Sequence, residues 1–261
     1  MYDTLTQRGM TLVTLTDHDS IDGAEALRGR PNFFVSEEVT CTMPSGTTFH
    51  VGVYGITERN HIEIQRRRND LASLLVYLSE KRIFFSVNHV LSSLTGRRAA
   101  EDFEWWQSYF PAYETLNASM PAVVNRKARD LARRQGKIQV AGSDSHTMVL
   151  VGCAWTEVPG ARTADEFLSG LRAGLGIVRG RSSGSIGLAR DLLLVGIEMM
   201  RERKWTLLLA PLASLLPAIS AAHSLREEIF ARRWFTSALQ QSVARGERSL
   251  WDNAPFAQEA A

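Results

Sequence analysis

From Thr11 to about residue 180 the chain alternates short β-like runs with helical stretches, and several runs end on a histidine or a carboxylate. The strand candidates are Thr11–Thr16, Phe33–Thr40, Thr48–Tyr54, Ile83–Val87, Tyr113–Leu116, Ile138–Ala141 and Val149–Trp155. They are rich in Val, Ile, Thr and Phe, and several are apolar on both faces, as buried strands of an α/β protein are. Between them Glu58–Lys81 reads as one helix, with Ile64, Leu71, Leu74, Leu75 and Leu78 at helical spacing. Pro121 opens a second helix, running to about Gln135 with Gly136 beyond it. Thr163 and Glu166 form a capping-box pattern for a third, through Leu171 and stopped near Gly174. This order predicts an α/β barrel or layered α/β domain over residues 1–180.

Composition sets the frame for the rest. The 261 residues are 44% apolar and 22% charged, which excludes a disordered chain, and 30 basic against 28 acidic residues give no electrostatic case for nucleic acid. Cys41 and Cys153 alone exclude a disulfide framework or a cysteine zinc site and fit a reducing, cytoplasmic setting. No signal peptide is legible in MYDTLTQRGM. After the junction Arg179–Gly187 the chain turns helical over 188–244, with a loose tail expected at 245–261. Within that extension Trp205–Ala222 runs eighteen residues without a charge, interrupted by Pro211 and Pro217 and flanked by arginines. It is expected to stand off the domain as a helical hairpin that meets a membrane or a second copy of the chain.

Four of the six histidines sit where a strand meets a loop. His18 follows TLVTLT in Thr16-Asp17-His18-Asp19, His50 opens HVGVYG, His89 follows IFFSVN, and Asp144 with His146 follows KIQVA. Glu37 and Glu38 close FFVSEEVT. In a parallel barrel such positions converge on one mouth. Imidazoles sharing carboxylates suit zinc, manganese or iron rather than calcium or magnesium. Each residue alone is more readily a capping or surface group, as His61 and His223 are expected to be, and Asp17 and Asp19 could cap a helix near Ile21. The ordered series is what points to a site.

The strings LTDHDSIDG, SEEVT, HVGVYGI, NHV, YETLN and GSDSH resemble the successive motifs of the PHP (polymerase and histidinol phosphatase) superfamily, and most closely its stand-alone metal-dependent phosphoesterases, over roughly Asp3 to Gly180. The resemblance implies a distorted, TIM-like (β/α)7 barrel holding two or three divalent transition metals. Carried over position by position, Glu38, His50 and His89 form one metal site. His18 and His146 belong to a second, and Asp144 with Glu38 to a third. Glu38 is preferred to Glu37 because it precedes the Val-Thr of the motif. His18 and Asp144 are the implied catalytic residues in hydrolysis of a phosphate ester.

The opening departs from that pattern. No Asp-x-His-x-His strand precedes Thr11, which leaves two or three expected ligands absent and TLVTLT with an unpaired edge. Either the reading frame starts at the wrong methionine, which the intact later motifs favour, or the chain is a metal-poor relative that serves as a non-catalytic, membrane- or partner-associated interaction protein. Arg97 and Arg98 in SSLTGRR are candidates to clamp the phosphate of a small-molecule or nucleotide substrate. The basic stretches Arg66–Arg68 and Arg126–Arg134 are interleaved with acids rather than aromatics, so nucleic-acid binding is not supported. Trp105 and Trp106 read as core.

Overall fold

The computed structural model describes residues 1–244; the expected loose tail lies outside the described residues. Two short N-terminal helices, α1 (Tyr2–Gln7) and α2 (Asp22–Glu25), flank the TLVTLT segment. The main sheet has five strands in the order β1 (Ser36–Thr42), β2 (Thr48–Tyr54), β3 (Phe84–Val87), β4 (Ala112–Asn117) and β5 (Ile138–Gly142). A separate antiparallel pair joins β6 (Ala154–Glu157) to β7 (Ile177–Gly180). The fold is thus mixed α/β.

The expected parallel barrel requires correction at two places. β1 and β2 are antiparallel, as are β2 and β3, and only β3–β4 and β4–β5 run parallel. The physical reason lies in the connection. Met43 to Thr47 form a tight turn closed by Met43 N–H to Thr47 O, with Gly46 at φ +81°, far too short for a parallel crossover. The second correction concerns TLVTLT, which makes isolated bridges, Val13 to Phe33 and His18 to Glu38, rather than a strand. Val13 uses both its N–H and its C=O on Asn32 and Phe34, so this segment is bonded along one edge, and the described strands do not close into a barrel.

Strand alternation divides the sheet's two faces by chemistry. Val39 and Cys41 of β1, Phe49, Val51 and Val53 of β2, and Phe85 and Val87 of β3 share the face that forms the core. Against it lie α3 (Glu58–Arg67) and α4 (Leu71–Glu80), which supply Ile64, Leu74 and Leu78. The single helix expected over 58–81 is two, because the Asp70 carboxylate accepts from Ser73 N–H and starts α4 afresh. The opposite face carries Glu38, Thr40, His50, Gly52, Tyr54 and Ser86. On that face the site is built.

Helix α5 (Ala100–Tyr109) precedes β4, α6 (Ala122–Arg134) precedes β5, and α7 (Ala164–Arg172) starts on the Thr163–Glu166 capping box read from the sequence. Trp106 is fully buried between Phe49 and Phe103, as core. The C-terminal extension consists of α8 (Gly184–Glu202), a 3-10 helix (Lys204–Leu215) containing Pro211, and α9 (Leu216–Ala244). The later part of α9 packs on the domain. Ala231 and Ala238 of α9 belong to the main core, Trp234 stacks on Phe103, and Lys127 of α6 sits over Phe235. Leu208, Leu212, Leu215 and Ile219 nevertheless remain exposed, and no described helix is long and apolar enough to cross a membrane.

Candidate metal centre

The centre is organised around one carboxylate. Glu38 is the third residue of β1 and pairs with Gly52, while Thr40 pairs with His50. Glu38 and His50 are therefore diagonal neighbours on one face of the hairpin. Both lie within strands rather than beyond their ends, which follows from the antiparallel pairing. His50 Nδ1 is 3.5 Å from Glu38 Oε1. His89, two residues past β3, brings Nε2 to 3.4 Å from the same oxygen. His18 reaches the other, with Nε2 3.4 Å from Oε2. It is brought there by backbone pairing, since Glu38 N–H donates to Asp17 O and Asp19 N–H donates to Glu38 O. Among the described residues, His18, Glu38 and His50 form the group whose donor atoms all lie within 4.8 Å of one another.

Glycine and amide groups hold the carboxylate in place. A Cβ on Gly52 would meet Tyr54 Oη at 2.6 Å and Asn88 Oδ1 at 2.9 Å, so only glycine leaves room opposite Glu38. Through that space Asn88 Nδ2 donates to Glu38 Oε1 at 2.9 Å, while Ser86 Oγ donates to Asn88 Oδ1 and shares a hydrogen bond with Tyr54 Oη. Burial alone would raise the Glu38 pKa. Hydrogen bonds and charge from His50 and His89 outweigh it and hold the carboxyl well below the usual range. Burial likewise opposes charge on His89, but Glu38 raises its pKa.

The donor set fits a divalent metal. His50 Nδ1 and His89 Nε2 face each other at 3.0 Å beside a carboxylate held ionised, so ring nitrogens converge on a point where a cation satisfies their lone pairs together. The other nitrogen of His89, Nδ1, is buried without a hydrogen-bond partner. Imidazole and carboxylate donors together suit a transition metal.

Residues 124–175 match the family model described as PHP-associated. The structure is similar to PsfC from Pseudomonas syringae PB-5123, with 16% identity and a TM-score of 0.54, over 76% of this chain and 87% of that one. The PHP-associated match is confined to that segment, and the likeness to PsfC is one of fold. Weaker likenesses are a metal-dependent phosphoesterase, so named putatively, from Bifidobacterium adolescentis (13% identity, TM-score 0.39, 56% of this chain and 81% of that one) and the lesion-specific endonuclease PfuEndoQ from Pyrococcus furiosus (13%, 0.46, 64% and 49%). No curated protein matches. The PHP-associated match includes Asp144 and His146, whereas His18, Glu38, His50 and His89 precede it.

Asp144 and His146 follow β5 and line the same 710 Å³ cavity as His18 and Glu38, outside the Glu38 cluster. Asp144 has φ +43° and His89 φ +32°, left-handed backbone that non-glycine residues seldom adopt. One buried residue that sequence reasoning passed over supports both. The Glu114 carboxylate of β4 accepts from His89 N–H at 2.8 Å and from Asn117 Nδ2 at 3.1 Å. Asn117 Nδ2 also donates to Asp144 Oδ2 at 3.0 Å. Gly142 makes room, since a Cβ there would come within 2.9 Å of Glu114 Oε1. Burial pushes the Glu114 pKa up to about 7, against the opposing charge of His89. The signal available was a lone glutamate inside the apolar run of YETLN.

Other candidate residues go elsewhere. Glu37 points to the opposite face, where His61 Nδ1 lies 2.8 Å from it and Gln65 also donates. Asp19 does not cap α2; it accepts from Thr40 N–H and pairs with Arg68. Arg98 is buried, with its guanidinium donating to the carbonyls of Thr48 and Arg97 and to Thr95 Oγ1. Burial lowers its pKa to about 10. Neither Arg98 nor the exposed Arg97 is among the residues that line the cavity, whereas Arg8, at the end of α1, is.

Proposed function

We propose that this chain is a metal-dependent hydrolase of phosphate esters, and that Glu38, His50, His89 and His18 hold its metal. The observation that carries the reading is the Glu38 carboxylate ringed by three imidazole nitrogens at 3.4–3.5 Å. A divalent metal supplies Lewis acidity, both to activate water near neutral pH and to neutralise charge on the phosphoryl oxygens. Zinc, manganese or iron matches the donors.

The protein's own groups divide the remaining work. Glu38 supplies the fixed negative charge, and Asn88 keeps its Oε1 oriented. Asp144 and His146, on the cavity side, are placed for a further metal or for the substrate. His18 has a side chain 48% exposed and is free to bind a metal or to give a proton to the leaving oxygen. Arg8, whose guanidinium donates to Val151 O, is the arginine that lines the cavity and would meet substrate charge there.

A generic aryl phosphate assayed with added manganese or zinc tests the reading. Turnover is expected to require the metal and to vanish in Glu38→Ala. Metal-independent turnover, or equal turnover in Glu38→Ala, would overturn it.

A further inference from the structure

The C-terminal helices place two buried carboxylates on the two loops that carry candidate ligands. Glu227 of α9 is fully buried and 134 residues from the group it binds. Its Oε2 accepts from Ser93 N–H at 2.9 Å, and its Oε1 accepts from Ser93 Oγ. Ser93 lies four residues past His89, across a tight turn in which Ser92 N–H donates to His89 O at 2.8 Å. Residues 89–93 are all buried, so Ser93 and His89 belong to one packed turn. Asp191 of α8 is likewise buried, and its Oδ1 accepts from Thr147 Oγ1. Thr147 directly follows His146 and lies three residues past Asp144, and its carbonyl accepts from Ser145 Oγ. The two helices pack on each other, and α9 is fixed to the core by Ala231, Ala238 and the Trp234–Phe103 stack.

We propose that Glu227 and Asp191 are positioning residues, and that α8 and α9 together form a clasp that holds the His89 turn and the Asp144–His146 loop in register with Glu38. That these loops carry metal ligands rests on the proposed function; that the clasp orders them does not. Burying a carboxylate is costly unless its oxygens are hydrogen-bonded. Both acids meet that cost on a ligand-bearing loop rather than within their own helices. Supporting groups of this kind orient ligands without touching the metal.

The test uses the full chain in five forms: wild type, Glu227→Ala, Glu227→Gln, Asp191→Ala and Asp191→Asn. Amide hydrogen exchange is read over residues 89–93 and 144–148, and Co²⁺ binding is read from its visible absorption. Glu227→Ala is expected to speed exchange at 89–93 while sparing 144–148, and Asp191→Ala to do the reverse. Each is expected to weaken Co²⁺ binding by about 10–100-fold. The amide variants keep a hydrogen-bond acceptor and are expected to restore most of both signals, which also covers a failure of the alanine variants to fold. Unchanged exchange in both loops would overturn the clasp, as would an equal rise throughout the chain. Loop-specific changes in the variants, together with a wild type that takes up no Co²⁺, would uphold the clasp and overturn the metal reading instead.

Discussion

The two walls of the centre are built differently. On one, Glu38, His50 and His89 stand on or beside hydrogen-bonded strands, with side-chain exposures of 9%, 16% and 4%. On the other, His18, Asp144 and His146 sit on loops, and His18 is 48% exposed. The first wall is locked by sheet register, by the Gly52 gap and by Asn88; the second depends on backbone bridges and on Asn117. Rigid supports place ligands more precisely than loops do. The buried wall should therefore set metal affinity, and the open wall should govern exchange of substrate and of any further metal. Replacing Glu38 by alanine breaks the first wall outright. It removes the one charge shared by all three imidazoles and is expected to abolish Co²⁺ binding by titration, with the fold retained by circular dichroism. Residual binding within about tenfold of wild type would show that the walls are equivalent.

The next largest effect concerns the residue that joins the walls. Glu114 has its pKa raised from an ordinary 4.5 to about 7 by burial. The folded chain therefore keeps this proton over a window in which the unfolded chain has released it. Stability falls as pH rises through that window, by on the order of 3 kcal/mol in total. Glu114→Gln has no such proton to lose. With metal chelated, its melting temperature is expected to fall less than that of wild type between about pH 5 and about pH 8. His89, with a raised pKa of its own, also loses its contribution as pH rises, so the difference between the two proteins is the quantity to read. Parallel curves would mean that Glu114 titrates normally.

How much of this was legible differs between the walls for physical reasons. The locations of most strands and of the α7 capping box follow from local pattern, because β-branched runs and Thr163–Glu166 are local signals. Strand direction was not legible from the residues of the motifs. It is decided by the length of the Met43–Thr47 turn, which fits a hairpin and not a crossover. That His18, Glu38, His50 and His89 meet depends on long-range pairing that the ordered motifs only suggested. Glu114, Asn88 and Asn117 lacked any spacing signal, since their roles arise from bonds across the fold. The burial of Arg98 was not legible either, because an arginine in a polar loop looks solvent-facing, whereas tertiary packing sets it against the Thr48 carbonyl and the Trp106 ring. The core residues of α9, Ala231 and Ala238, lie beyond the apolar stretch that ends at Ala222, and composition alone could not place them.

A smaller effect sharpens the contrast. His18→Ala removes a half-exposed candidate ligand whose position rests on the Asp17–Glu38–Asp19 backbone bridge. It is expected to lower Co²⁺ affinity by about tenfold and to leave the melting temperature of the metal-free protein nearly unchanged. His89→Ala, made in parallel, should weaken binding more and also destabilise the metal-free fold, because it empties a buried position. Equal losses from the two would erase the distinction between a rigid and an open wall.

The smallest effect on the centre is expected next door to the largest. Glu37 and Glu38 are adjacent on β1, and strand alternation sends them to opposite faces. Glu37 is fully buried against α3, where His61 and Gln65 meet both of its oxygens. Its hydrogen bonds secure α3 to the sheet, and charged hydrogen bonds of this kind contribute about 2 kcal/mol. Glu37→Gln keeps one acceptor and should lower stability by less than that in urea titrations. Its Co²⁺ affinity should stay within about twofold of wild type, because the sheet itself lies between Glu37 and the imidazoles on the opposite face. A large loss of metal affinity from this substitution would show that the two faces of β1 are coupled through the strand. The centre would then depend on α3 as well as on the hairpin that carries Glu38 and His50.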